Sequence, residues 1–206
     1  MITRRKLTKE DLERMNLPPA FWRAKVETVP EAVNPQVVAY LAKLETVVAK
    51  AAGLLITGAS GVGKTGIASL VLKEARACGY TGFFIPVWEF RESIRAKLQF
   101  DNDVTIYARA KEVDFLILDG LEKEDLKDPY FGTKHLGDLI SLRGANNKIT
   151  IVTTALDPEF LAELDGFLPK IKGCMVLFPV EGPDLRQEQQ AAIAEEVFSV
   201  EGPNGS

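Results

Sequence analysis

The sequence predicts a three-layer α/β fold, a five-stranded parallel sheet with helices on both faces, and three observations predict it. Five short apolar runs, residues 53–57, 82–87, 114–119, 148–154 and 174–178, are separated by stretches with helical character. Parallel strands need crossovers of this kind, and burial on both faces makes them read as continuous apolar runs. A glycine-rich segment, residues 58–64, lies between the first run and the first long helical stretch. The chain has 206 residues, 46% hydrophobic and 26% charged with both signs mixed, which suits one core and leaves little room for a second.

Each element has its own signal. Residues 1–35 read as an N-terminal arm. Thr8 stands three residues before Asp11, a capping pattern for a short helix, and Pro18, Pro19 and Pro30 interrupt regular structure after it. Pro35 can open a helix through residue 50, with Val37, Val38, Leu41, Leu44, Val47 and Val48 on one face. Further helices are expected over 63–77, 88–98, 103–111, 131–143, 158–164 and 184–197. In the 88–98 helix, Phe90, Ile94 and Leu98 share the core face. Residues 36–200 form the main domain, and 201–206 are expected to be a flexible tail.

Charge and cysteine usage exclude several classes. The net charge of −4 argues against a broad DNA-holding surface, so a nucleic-acid contact must be a local patch. Charge is uneven. Residues 1–30 hold seven Lys/Arg against four Asp/Glu, whereas 181–201 hold one Arg against six acids, which suits two solvated ends. Cys78 and Cys174 are far apart and His135 is the single histidine, a poor set for zinc and one that fits a reducing cytoplasm. No apolar run follows the charged start. Lys43, Glu45 and Lys50 interrupt the most apolar region, so neither a signal peptide nor a membrane span is expected.

The segment Gly58-Ala59-Ser60-Gly61-Val62-Gly63-Lys64-Thr65 fits G-x-x-x-x-G-K-[ST] in full and lies between a strand and a helix. Its glycines let backbone N–H groups wrap a phosphate, and the helix N-terminus adds positive potential. The cofactor-binding set is residues 58–66, ending at Gly66. Lys64 can reach the β- and γ-phosphates, and the Thr65 hydroxyl is a natural Mg²⁺ ligand. Leu116-Ile-Leu-Asp119 supplies the second half: a buried strand whose terminal Asp119 would hold Mg²⁺ through water. ATP and Mg²⁺ are the expected cofactors.

With these residues in place, the chain resembles the DnaC/IstB-type AAA+ ATPases, bacterial and phage replicative-helicase loaders and transposase helpers, from roughly Leu17 to Arg186. Leu17-Pro-Pro-Ala-Phe-Trp22 looks like the segment leading into the ATPase core. The 131–143 helix is similar to one that ends in an Arg, Thr150-Ile-Val-Thr-Thr154 to a sensor-1 strand, and Gly182-Pro-Asp-Leu-Arg186 to a sensor-2 segment. The resemblance implies a P-loop NTPase fold of the AAA+/RecA-like kind. Its catalytic set would be Lys64, Asp119, Thr154 and Arg186, with Arg143, Lys170 and Lys172 as candidates for acting on a neighbouring subunit's nucleotide. It also implies a replicative helicase or another DNA-processing protein as partner, single-stranded DNA as a further one, and self-association into a homo-oligomer. The region after Phe178 is short, so the helical lid is expected to be reduced or absent. Only about 50 residues precede the loop, so a helicase would be gripped by residues 1–30 of the arm or through another protein.

Departures from the family pattern bear on chemistry. Gly120 stands where relatives carry a second acid, with Glu122 and Glu124 nearby. Thr154-Ala155 replaces Ser-Asn, and Lys170 and Lys172 replace arginine, which loses the planar fork that grips phosphate. Losing such groups commonly costs roughly 10²–10⁵ in rate, so ATP binding with slow or partner-dependent hydrolysis is expected. Trp88, Arg91 and Arg95 share a helix face, an aromatic with two guanidinium groups that suits single-stranded DNA. Glu89 and Glu92 interleave with them, as on an ordinary solvated face. Two other readings use the same loop: a nucleotide-binding regulatory or scaffold protein with little turnover, and a small-molecule kinase.

Overall fold

The computed structural model describes residues 4–100, 105–128, 130–163 and 167–198. The five apolar runs become β1 (Gly53–Thr57), β2 (Gly82–Pro86), β3 (Phe115–Leu121), β4 (Ile149–Thr154) and β5 (Met175–Pro179). They form one all-parallel sheet in the order β2-β3-β4-β1-β5. β1, β3 and β4 are interior to this order and are almost wholly buried, as strands covered on both faces must be.

Period-2 alternation divides the strand residues between two cores. Leu54, Ile56, Ile117 and Ile151 face one way. There they pack with the arm, including α1 (Lys9–Arg14), with α2 (Asn34–Ala42) and α3 (Leu44–Ala49), and with α4 (Lys64–Ala77). Leu55, Leu116, Leu118 and Val152 face the other way. On that side lie α5 (Val87–Phe100), α6 (Thr105–Glu112), α7 (Lys123–Lys127), a π-helical segment (Tyr130–Gly137), α8 (Asp138–Ala145), α9 (Pro158–Glu163) and α10 (Phe167–Ile171). A single helix, α11 (Leu185–Phe198), follows β5 among the described residues. This is the expected three-layer sandwich.

Several elements differ from expectation. The 35–50 helix is broken at Lys43, whose N–H donates to the Tyr40 carbonyl and closes a tighter turn between α2 and α3. Residues 131–143 are not one α-helix. The first part, Tyr130–Gly137, is π-helical and carries Phe131 and Leu136, both buried, into the same core. The short helices α7 and α10 carry too little periodicity to be read from sequence. The side chain of Leu98, residues 103–104 of the expected 103–111 helix, and the tail 201–206 lie outside the described residues.

The arm is fastened at both ends of its path. Met15, Leu17, Val29 and Val33 are buried in the core that holds α4. Beside β2, the Phe84 N–H donates to the Met15 carbonyl (2.8 Å) and the Asn16 side-chain amide donates to the Phe84 carbonyl (3.0 Å). The arm thereby pairs both backbone groups of Phe84 on the outer edge of the sheet, a site that otherwise invites pairing with another chain.

Asp11 is the electrostatic anchor of this fastening. Its carboxylate is nearly buried and accepts from Arg5, from Arg76 of α4 (2.9 and 3.1 Å) and from the Thr8 backbone and hydroxyl. Hydrogen bonds from Arg5 and from the Thr8 N–H hold its carboxyl well below the usual carboxylate range, against the opposing effect of burial. A carboxyl with a depressed folded-state pKa contributes stability above its unfolded value, about 3.9, and loses it as pH falls further. Urea unfolding of the wild type should therefore weaken below about pH 4. Asp11→Asn should lower stability at pH 7 by on the order of 1–3 kcal/mol and flatten that acid limb. An unchanged acid limb in the variant would remove Asp11 from the account.

Candidate functional site

The glycine-rich loop leaves the C-terminal end of β1 and enters α4 at Lys64. Gly63 sits just before the helix with φ +94°, so the first N–H groups of α4 point back into the loop without a side-chain cap. Gly61 (φ +86°) passes under the Asp184 carboxylate, and a Cβ there would lie 1.8 Å from Asp184 Oδ1. The Leu185 N–H donates to the Gly61 carbonyl (3.1 Å), which sets the start of α11 on the loop. The Lys64 ammonium donates to the carbonyls of Gly58 (2.8 Å) and Ala59 (2.6 Å). Burial pushes the Lys64 pKa down, Asp119 opposes that shift and Arg186 adds to it.

Three elements converge at the tip of β3. Asp119 Oδ1 accepts from the Thr65 hydroxyl of α4 (2.9 Å) and from the Thr153 hydroxyl of β4 (2.7 Å). The Gly120 N–H in turn donates to the Thr153 oxygen (2.9 Å). The arrangement rests on a β-bulge. Leu118 pairs with Val152 and Leu121 with Thr154, so two residues, Asp119 and Gly120, stand opposite Thr153 alone. Gly120 takes the left-handed conformation (φ +76°) that the bulge requires, in open space where a Cβ would meet nothing within 4 Å. The position read from sequence as lacking an acid is thus also one whose backbone strains any other residue.

The β4 hydroxyl that meets Asp119 is that of Thr153, one residue before Thr154, the sensor-1 candidate. Thr154 faces the opposite core, 1% exposed, with its hydroxyl donating to the Leu121 carbonyl (2.7 Å) and accepting from the Leu156 N–H (3.1 Å). Strand alternation carried the signal: Ile117 and Ile151 share the α4 face, so Asp119 and Thr153, two residues further on, share it too. Glu122 and Glu124 are exposed beyond the bulge, at the start of α7.

A cavity of about 520 Å³ opens beside the loop. One wall is Ser60, Gly61 and Gly63 to Gly66, another is Leu185 and Arg186, and the third is the arm through Phe21, Arg23, Ala24 and Thr28. The Arg186 guanidinium reaches Ser60 Oγ (3.1 Å) and is held by Asp184 (3.0 and 3.1 Å), whose bonds to it push the Arg186 pKa up. The arm wall was not foreseen from sequence, since nothing local in residues 20–28 marks it.

No family model matches the chain, and no curated protein matches it. Solved structures do. The DnaC helicase loader superposes with a TM-score of 0.67 at 21% identity, covering 80% of this chain and 100% of that one. DnaI gives 0.67 at 20% identity, covering 85% and 99%. The replication initiator DnaA bound to AMPPCP and single-stranded DNA gives 0.63 at 18% identity, covering 89% of this chain and 57% of DnaA. The chain shares the fold of DnaC and DnaI.

Within this fold the remaining candidates are placed unequally. Arg143 is 1% exposed. Its guanidinium donates to the carbonyls of Ala110 (2.6 Å), Val113 (2.8 Å) and Ile149 (2.6 Å) and to Thr150 Oγ1 (3.0 Å). Burial lowers its pKa to about 9, with Asp114 opposing. A side chain so enclosed ties α6, the turn between α6 and β3, and β4 together and cannot reach a neighbouring subunit, which corrects its reading as a trans-acting residue. Lys170 pairs with Asp138 of its own chain, and Lys172 is exposed. In α5, Trp88 is 67% exposed. Arg91, by contrast, pairs with Asp125 (3.3 Å) and Asp128 (3.1 Å) and lies 5.4 Å from the Phe131 ring centroid, and Arg95 pairs with Glu92 (2.7 Å). The three-residue stripe therefore contains an internal tie at its centre, because Asp125 and Asp128 claim Arg91.

The oxygen set at Asp119 fits magnesium. It offers one carboxylate and one hydroxyl from Thr65, and among the described residues no three His, Cys, Asp or Glu side chains form a cage. Magnesium keeps several waters and takes one or two protein ligands beside phosphate oxygens.

Arg143→Leu should cost at least about 3 kcal/mol, because four buried acceptors lose their donor. Urea unfolding measures this directly, with Arg143→Lys expected to recover only part. A variant as stable as the wild type would contradict the structural role.

Proposed function

We propose that the chain binds ATP with Mg²⁺ and serves as an AAA+ accessory of DNA replication. In this reading it is a cytoplasmic helicase loader, acting with a replicative helicase and single-stranded DNA, with slow or partner-dependent hydrolysis. The observation that carries the reading is the joining of the glycine-rich loop to the Thr65–Asp119–Thr153 cluster at one end of a parallel sheet. Backbone N–H groups at the head of α4 would hold the phosphates, and Lys64 would leave the Gly58 and Ala59 carbonyls for them. Thr65 and Asp119 would hold the metal, which when bound supplies charge neutralisation between phosphate oxygens. Thr153 keeps the Asp119 carboxylate aimed, and Arg186, already at Ser60, would report the terminal phosphate.

The fold shared with DnaC and DnaI supports the loader assignment, and the DnaA structure with AMPPCP and single-stranded DNA supports both ligands. Lys170 and Lys172 remain the candidates for contacting a neighbouring subunit in a homo-oligomer, and Trp88 with Arg95 remain those for contacting DNA. A second reading, a nucleotide-responsive scaffold with little turnover, is favoured by Gly120. The bulge puts a left-handed glycine where hydrolysis wants an acid, and neither exposed glutamate beyond it is bonded to the Asp119 cluster.

ATP turnover measured alone, with single-stranded DNA, and with DNA plus a replicative helicase separates the readings. The loader reading expects stimulation by DNA or helicase, and no turnover in any mixture despite tight ATP binding would favour the scaffold. Lys64→Ala should weaken ATP binding at least about tenfold with the fold retained by circular dichroism. Unchanged affinity would sink both readings.

A further inference from the structure

Arg23 stands on the arm wall of the cavity, facing the same space as Lys64, Thr65 and Arg186. Arg186 is held by Asp184, whereas Arg23 is exposed and makes no ion pair among the described residues. An unpaired guanidinium beside a phosphate-loop cavity would mean little on a loose segment, since ordering it would offset the gain. This segment is not loose. The ammonium of Lys73, on α4, donates to the carbonyls of Trp22 (2.5 Å) and Ala24 (2.8 Å), the residues on either side of Arg23. The Trp22 indole N–H donates to the Leu17 carbonyl (2.7 Å), and the Ala24 N–H donates to the Phe21 carbonyl (3.1 Å). Burial lowers the Lys73 pKa, so a partly desolvated ammonium is committed to holding these two carbonyls. The helix that begins at the phosphate loop therefore also fixes the backbone that carries Arg23.

We propose that Arg23 is a second nucleotide-contacting arginine, pairing with a phosphate oxygen of the bound nucleoside polyphosphate, and that Lys73 is its positioning residue. This rests on the reading of the loop as a nucleotide site. It gives the arm a function beyond covering the sheet edge: the polyphosphate joins the arm to the loop through Arg23, while Arg186 approaches from the far wall. A guanidinium suits this place because its planar fork can grip two oxygens of one phosphate.

The test is displacement of a fluorescent ATP analogue by ATP, ADP and adenosine from the full chain and its variants, in the presence of Mg²⁺. Arg23→Ala should weaken ATP and ADP roughly 10- to 100-fold and leave adenosine within about twofold, with Arg23→Lys restoring part of the loss. Lys73→Met should weaken ATP in the wild-type background and have little further effect in the Arg23→Ala background, whereas a merely structural role would lower affinity equally in both. Equal losses for adenosine and ATP would place Arg23 on the base and overturn the phosphate assignment. Wild-type ATP affinity in Arg23→Ala, with Lys64→Ala defective, would overturn Arg23 alone. Failure of the wild-type chain to bind ATP would overturn the nucleotide reading and this inference together.

Discussion

One carboxylate oxygen joins the three parts of the molecule that must be in register. Asp119 Oδ1 accepts from Thr65 at the head of α4 and from Thr153 at the end of β4, and Asp119 itself ends the central apolar run of β3. The loop, the helix it feeds and two adjacent strands are thus referred to one point. That point sits at the C-terminal ends of the strands, where open parallel sheets place their ligands. The bulge at Gly120 lets both Asp119 and the Gly120 N–H address the Thr153 hydroxyl, so the carboxylate is oriented from behind while its other oxygen remains available.

The sheet was legible because interior parallel strands leave a signal that does not depend on neighbours, a continuous apolar run between polar or glycine-containing stretches. The glycine-rich loop was legible for the same reason, since its glycines answer to local backbone demands such as the left-handed conformation of Gly61 and Gly63. What escaped reading depends on partners distant in sequence. Arg143 resembles a surface arginine at a helix end until the carbonyls of α6, of the turn before β3 and of β4 are seen around it. Arg91 fits a DNA-facing stripe until Asp125 and Asp128 are folded against it. Thr153 is within reach of strand parity, because it shares the face of Ile151. The arm wall of the cavity was out of reach, because residues 20–28 acquire their place through Lys73, about fifty residues away.

The two ends of the chain differ in how the fold uses them. The basic arm is folded in: Arg5 and Arg76 meet on Asp11, Met15 and Asn16 close the edge of β2, and Lys73 holds the turn beside the cavity. The acidic C-terminal helix starts on the loop through Leu185 and Asp184, while Val197 and Phe198 near its end are exposed. Both ends therefore touch the same cavity, one from each side, and any ligand there makes contact with segments from opposite termini. No helix among the described residues is long and apolar enough to cross a membrane.

The central claim is that the loop and the Asp119 cluster together form a site for a nucleoside triphosphate and its metal ion. A crystal structure of the chain with a non-hydrolysable ATP analogue and magnesium tests it most directly. The account predicts phosphates on the N–H groups of residues 61–65, with the Lys64 ammonium turned from the Gly58 and Ala59 carbonyls onto them and the metal ion beside the Thr65 hydroxyl and the Asp119 carboxylate. An analogue bound elsewhere, or a Lys64 that keeps its carbonyl partners at saturating nucleotide, would contradict it.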